Sequence, residues 1–177
     1  MTDNNKSEEQ PRRSWLSRFL LPKITPAFCL RFIILCAIAY GFFGYLCIPA
    51  WTNGKSMEPV YKDGTFLFCW TPAYWSRKPR PGDAVMIKYG GTKVMLLKRI
   101  VAVEGDIVEF RKGDLYVNNE KVTARWNALT PCDWELPPRT VSPGHVYVVG
   151  DNRAMPMDEH QFGEVHTSKI AGVPLLQ

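Results

Sequence analysis

Two short segments of this chain carry side chains that could react together. Gly54-Lys55-Ser56-Met57-Glu58-Pro59 offers a serine hydroxyl in a turn bounded by glycine and proline. Leu96-Leu97-Lys98-Arg99-Ile100-Val101, about 40 residues further on, offers a lysine inside an otherwise apolar run. A serine hydroxyl attacks a carbonyl only when a base takes its proton, and a desolvated lysine is one of the few side chains able to do so. Together they read as nucleophile and general base for acyl transfer. Each alone has a plainer reading: most loop serines are solvated or cap an element, and most strand lysines reach solvent from an edge.

Position strengthens both. Strand side chains alternate between faces, so Val94, Leu96, Lys98 and Ile100 share one face and Met95, Leu97, Arg99 and Val101 the other. An ammonium among Val, Leu and Ile is costly; holding its pKa near ~8 instead of ~10.4 corresponds to about 3 kcal/mol against the charged form. Arg99 needs only solvent or a carboxylate. A Ser-His-Asp arrangement would require His145, His160 or His166, and none sits in an informative local motif. His-Glu-x-x-His and Cys-x-x-Cys are both absent from the sequence, so neither a metal nor a cofactor is expected. Gly105-Asp106 and Gly113-Asp114 read as turns.

The elements that must position Ser56 and Lys98 begin with an apolar run, Phe32 to Ala50, of 19 residues without a charge. At 1.5 Å per residue it spans roughly 28 Å, close to the hydrocarbon thickness of a bilayer. Residues 1–31 hold +3 of the chain's net charge of +5, and the rest is nearly balanced. That places the basic excess beside a membrane span and argues against a nucleic-acid partner, which would need a basic stripe on the folded domain. A buried core helix and a cleaved leader are the competing readings of the run. Tyr, Phe and Cys crowd its end, where small residues should mark a cleavage site. The expected organisation is a basic cytoplasmic segment (1–27), a transmembrane helix (28–50) and an extracytoplasmic β-rich domain (51–177). The N-terminus is then cytoplasmic.

Beyond Trp51 the punctuation is that of short strands: 65–70, 84–89, 94–103, 107–111, 115–117 and 145–149, with 71–82 and 124–143 as proline-rich loops. The expected fold is mostly β, a small all-β domain behind a single N-terminal helix. Tyr74 and Trp75 in the first loop suit either lipid headgroups or ordinary packing. Cys29, Cys36 and Cys47 lie in or beside the span as apolar filler, whereas Cys69 and Cys132 would face an oxidising space and are candidates for a disulfide.

These residues carry a resemblance to the type I signal peptidases, serine–lysine peptidases that include the pilin-processing peptidases of conjugation systems. Four segments resemble the family's boxes in order: 54–59, Pro81-Gly82-Asp83-Ala84-Val85, 97–106, and Gly150-Asp151-Asn152-Arg153 with Asp158 and Phe162-Gly163. The resemblance implies a catalytic domain with Ser56 as nucleophile and Lys98 as general base. It implies the Ser56 backbone N–H as an oxyanion donor, with Asp151 and Asp158 in support. Met57, Tyr61 and Leu97 match positions lining small-residue pockets. Met95, Leu96 and Leu97, with Trp51 to Asn53, would flank an extended preprotein substrate. Membrane lipid is the other expected partner.

The sequence also departs from the family pattern. Gly54 replaces a hydroxyl residue that gives some relatives a second oxyanion donor. Pro156 stands where a serine often hydrogen-bonds the lysine, and His160 stands where an arginine is usual. The altered last box and small size favour one dedicated pilin or secretion substrate. They also leave open a non-catalytic membrane-anchored β-domain for assembly or binding. The Ser56–Lys98 distance separates the two readings.

Overall fold

The structure, a computed structural model, describes residues 24–90, 94–124, 126, 133–160 and 163–175. It divides into two units, Met1–Tyr40 and Gly41–Gln177. In the first, α1 (Pro26–Gly41) begins where Thr25 Oγ1 accepts the Phe28 backbone N–H at 3.2 Å. Proline suits the opening position because its missing N–H would have no intrahelical partner. A π-helical turn, Phe42–Leu46, follows. Pro26–Leu46 is long and apolar enough to cross a membrane, and none of the side chains of α1 is buried.

Helical structure therefore starts earlier than the expected 28–50 and ends sooner. Cys47–Trp51 is a strand, β1. Pro49 explains the early end: inside a helix it would lose one hydrogen bond and clash with the carbonyl four residues back.

The second unit is two antiparallel sheets. The larger has the order β1-β2-β11-β3-β4-β9-β10, with β2 (Phe66–Trp70), β3 (Ala84–Gly90), β4 (Val94–Val103), β9 (His145–Val149), β10 (Gly163–His166) and β11 (Ile170–Pro174). The smaller has the order β7-β6-β5-β8, with β5 (Ile107–Arg111), β6 (Asp114–Val117), β7 (Glu120–Lys121) and β8 (Leu136–Thr140). β8 lies inside the segment expected to be loop. Pro137 and Pro138 hid it, yet β8 is an edge strand, where a missing N–H is tolerated. β1, β10 and β11 were not expected either. β11 joins β2 to β3, an insertion set by pairing partners over 80 residues away in sequence.

One core lies where β4 and β9 meet the smaller sheet: Val101, Ala102, Tyr147 and Val149 with Val108, Phe110, Leu115 and Trp134. A second gathers Met57, Tyr61, Leu67, Cys69, Ala84 and Met86, and a third Val85, Ile87, Ile100, Val146 and Val148. Both faces of β4 are thus covered from Lys98 to Ala102, all of them buried. Cys69 is a buried free thiol whose pKa burial pushes up to about 11; Cys132, its expected partner, lies outside the described residues, as does Phe162.

Candidate active site

The serine sits in the connection between β1 and β2, pinned at both ends. Thr52 N–H donates to Thr65 O at 2.9 Å, and Thr52 Oγ1 donates to Lys62 O at 2.7 Å. Gly54 has a φ of +98°, a conformation that favours glycine, and its N–H donates to Asp63 Oδ1 at 2.8 Å. Met57 and Tyr61 then anchor the turn by burying their side chains in the second core. From the far side Asn152 N–H donates to Ser56 O at 3.0 Å, and Asn152 Nδ2 donates to Lys55 O at 3.1 Å.

Lys98 pairs across from Val85 in β4 and is 3% exposed. Its Nζ lies 2.8 Å from Ser56 Oγ. Burial lowers its pKa to about 8, while the Asp151 carboxylate pulls the other way. A neutral amine one hydrogen bond from a serine hydroxyl can take that proton.

The groups expected in support divide. Asp151 is buried and makes a two-pronged ion pair with Arg99, Nε to Oδ1 at 2.7 Å and Nη2 to Oδ2 at 2.6 Å. Arg99 Nη1 also donates to Gly82 O at 2.6 Å. Arg99 therefore uses a carboxylate and not solvent, and it ties β4 to the segment after β9. Asp158 is exposed on the turn Met157–Glu159 and has no hydrogen-bond or ion-pair partner among the described residues. No hydrogen bond links it to Lys98 among the described residues.

Beside the serine, Met57, Met95, Leu96 and Leu97 line a cavity of about 50 Å3 together with Trp51 to Gly54. Tyr61 packs behind Met57 in the same core. Leu67 and Met86, which sequence reasoning missed, complete the lining; only their strand register brings them there. β9 pairs with β4 from Arg99 to Val103, so on that side the segment before Arg99 has no strand partner among the described residues. His160 is buried at 6% exposure. Its Nε2 donates to Asn152 O at 2.7 Å, and its ring meets Trp134 edge-on at 4.7 Å. Burial first, then the Lys98 and Arg153 cations, lower its pKa to about 4. In the 71–82 loop the two aromatics separate: Tyr74 donates to Asp83 Oδ2 at 2.9 Å, and Trp75 is exposed.

A buried lysine thus lies within hydrogen-bond reach of a turn serine, beside an open strand edge. The family described as signal peptidase, peptidase S26, matches residues 26–176. The chain belongs to that family, whose signal peptidase I members are serine endopeptidases. Thylakoidal processing peptidase 1 of Arabidopsis thaliana is 35% identical over 138 residues, 72% of this chain and 40% of that protein. The chain thus spans about two-fifths of that relative's length. Signal peptidase I of Bacillus licheniformis is 28% identical over 150 residues, 79% of this chain and 81% of that one. The crystal structure of a signal peptidase I from Enterococcus faecalis aligns with 55% of this chain and 97% of its own, at 24% identity and a TM-score of 0.42.

Proposed function

We propose that the chain is a membrane-anchored serine endopeptidase that removes leader peptides from translocated preproteins after small residues. The observation that carries this reading is the 2.8 Å contact between Ser56 Oγ and the buried Lys98 amine. With a pKa near 8, about a tenth of Lys98 is neutral at pH 7, against less than a thousandth for an ordinary lysine.

Lys98 Nζ takes the serine proton as Oγ adds to the scissile carbonyl carbon. Negative charge collects on the carbonyl oxygen, where the Ser56 backbone N–H is the assigned donor. The carbon–nitrogen bond then breaks, and the Lys98 ammonium gives its proton to the leaving amine. Water, losing a proton to Lys98, adds to the Ser56 ester; the new carboxylate leaves and Oγ regains its proton.

The substrate lies extended along the unpaired edge of β4, facing Trp51 to Asn53, by strand addition. The roughly 50 Å3 cavity beside Ser56 is small against ordinary ligand pockets of ~300 Å3 or more, and suits a side chain such as that of alanine. Pro26–Leu46 anchors the chain in the bacterial inner membrane, with the basic residues before it cytoplasmic and the β-domain on the far side. Trp51 and Trp75 are exposed and suited to the lipid interface. Pro156 and His160, which depart from the family pattern, favour one dedicated pilin or secretion substrate over general processing.

The test is incubation of the full chain in detergent with candidate preproteins, with product N-termini sequenced. Ser56→Ala and Lys98→Ala each lower the cleavage rate by about 10³-fold or more while circular dichroism is unchanged. Full activity in either variant sinks the reading.

A further inference from the structure

We infer that His160 is a positioning residue for the Ser56–Lys98 pair, acting through Asn152 on the serine turn. The inference rests on the reading of Ser56 and Lys98 as the reacting groups. The path is short and complete. His160 Nε2–H donates to Asn152 O at 2.7 Å, and Asn152 donates to both carbonyls of the turn, Ser56 O at 3.0 Å and Lys55 O at 3.1 Å. One residue therefore holds the nucleophile's own carbonyl and its neighbour's, and His160 holds that residue.

The contact is close as well as bonded. A Cβ at Gly150 would lie 2.3 Å from Ser56 O and 2.6 Å from His160 Cε1, so only glycine lets the ring approach the turn. The ring is fixed on its other side by Trp134, whose Nε1–H donates to Met155 O at 3.0 Å. Lys98 and His160 border the same cleft.

The imidazole must be neutral for this role, and the structure holds it so. Only a carbonyl faces Nε2, which fixes the proton there. Nδ1 is buried with no hydrogen-bond partner among the described residues. An imidazolium would leave its second N–H unpaired beside two cations, Lys98 and Arg153. The Ser56–Lys98 geometry therefore depends on a group that touches neither substrate nor Lys98 Nζ.

His160→Ala and His160→Gln are compared with the full-length wild type in detergent. Glutamine can place an amide N–H near the position of Nε2; alanine cannot. His160→Ala lowers kcat by about 10- to 100-fold with KM within about twofold, the effect of displacing a reacting group by ~1 Å, and His160→Gln recovers most of the loss. Hydrogen exchange supplies a readout independent of catalysis. The Asn152 amide exchanges faster in His160→Ala, returns toward wild type in His160→Gln, and the Val108 and Val149 amides are unchanged. If His160→Ala does not fold, His160→Asn, whose amide falls short of Asn152 O, replaces it with the same expected losses. The inference fails if the truncated variant keeps wild-type kcat and Asn152 protection, or if glutamine restores neither. Should the wild type cleave no preprotein, the peptidase reading fails, while exchange at Asn152 still decides what His160 holds.

Discussion

Lys98 is an ionisable group kept where its charge is poorly solvated, and two measurements follow. Its folded pKa, about 8, lies below the ordinary lysine value of 10.5 because burial outweighs the pull of Asp151. Cleavage needs the neutral amine, so kcat/KM rises about tenfold per pH unit below 8 and levels off above it. A pH–rate profile without a limb between pH 7 and 9 would contradict the assignment. The same shift is a stability statement. Between pH 8 and 10.5 the unfolded chain carries a proton that the folded chain lacks, so stability rises with pH across that window. Below it the buried ammonium costs about 3 kcal/mol. Lys98→Met is therefore more stable than wild type in urea at pH 7 by up to about 3 kcal/mol, an advantage that shrinks toward pH 10.5. An unchanged difference across that range would show that packing, and not charge, sets it.

The site is built at the scale of elements from three pieces distant in sequence: the turn after β1, the middle of β4, and the segment after β9. Arg99–Asp151 joins the second to the third, and Asn152 joins the third to the first. Gly150 sits where the first and third touch. Gly150→Ala puts a carbon 2.3 Å from Ser56 O, so the turn or the loop must move. Cleavage falls by about 10²-fold with the fold retained, since ~1 Å is enough to spoil an attack geometry. A Gly150→Ala variant with wild-type kcat would show that this contact can relax harmlessly. Lys98 was legible as a lysine in apolar surroundings because alternation put it among Val, Leu and Ile; the partner of Arg99 was not, because nothing local to β4 says which of many carboxylates it meets. β8 was missed for a related reason: its prolines argue against a central strand, and only the sheet order reveals that it lies on an edge.

For the whole molecule, the proposed orientation, with the basic residues before the apolar segment on the cytoplasmic side, can be measured. Protease added to intact spheroplasts removes the β-domain and leaves an N-terminal tag protected; the reverse pattern would invert the assigned topology. The sheet order also explains how one small domain makes a cleft. Three strands, β2, β11 and β3, separate β1 from β4 in the sheet. Even so, Trp51 to Gly54 and Met95 to Lys98 line one cavity. No pairwise pattern in the sequence encodes that closure, since β11 comes from the end of the chain.

The sequence by itself determined the local chemistry: a hydroxyl in a glycine- and proline-bounded turn, a lysine in an apolar strand, an uncharged span with positive charge before it, and the β character of most of the rest. These follow from side-chain type, alternation and turn residues, all readable within about ten positions. The tertiary structure alone decided that Asp151 serves Arg99 while Asp158 faces solvent, that Leu67 and Met86 line the cavity, and that His160 stands behind Asn152. Each of those depends on which distant strands share a sheet, and on which buried polar group finds a partner once water is excluded.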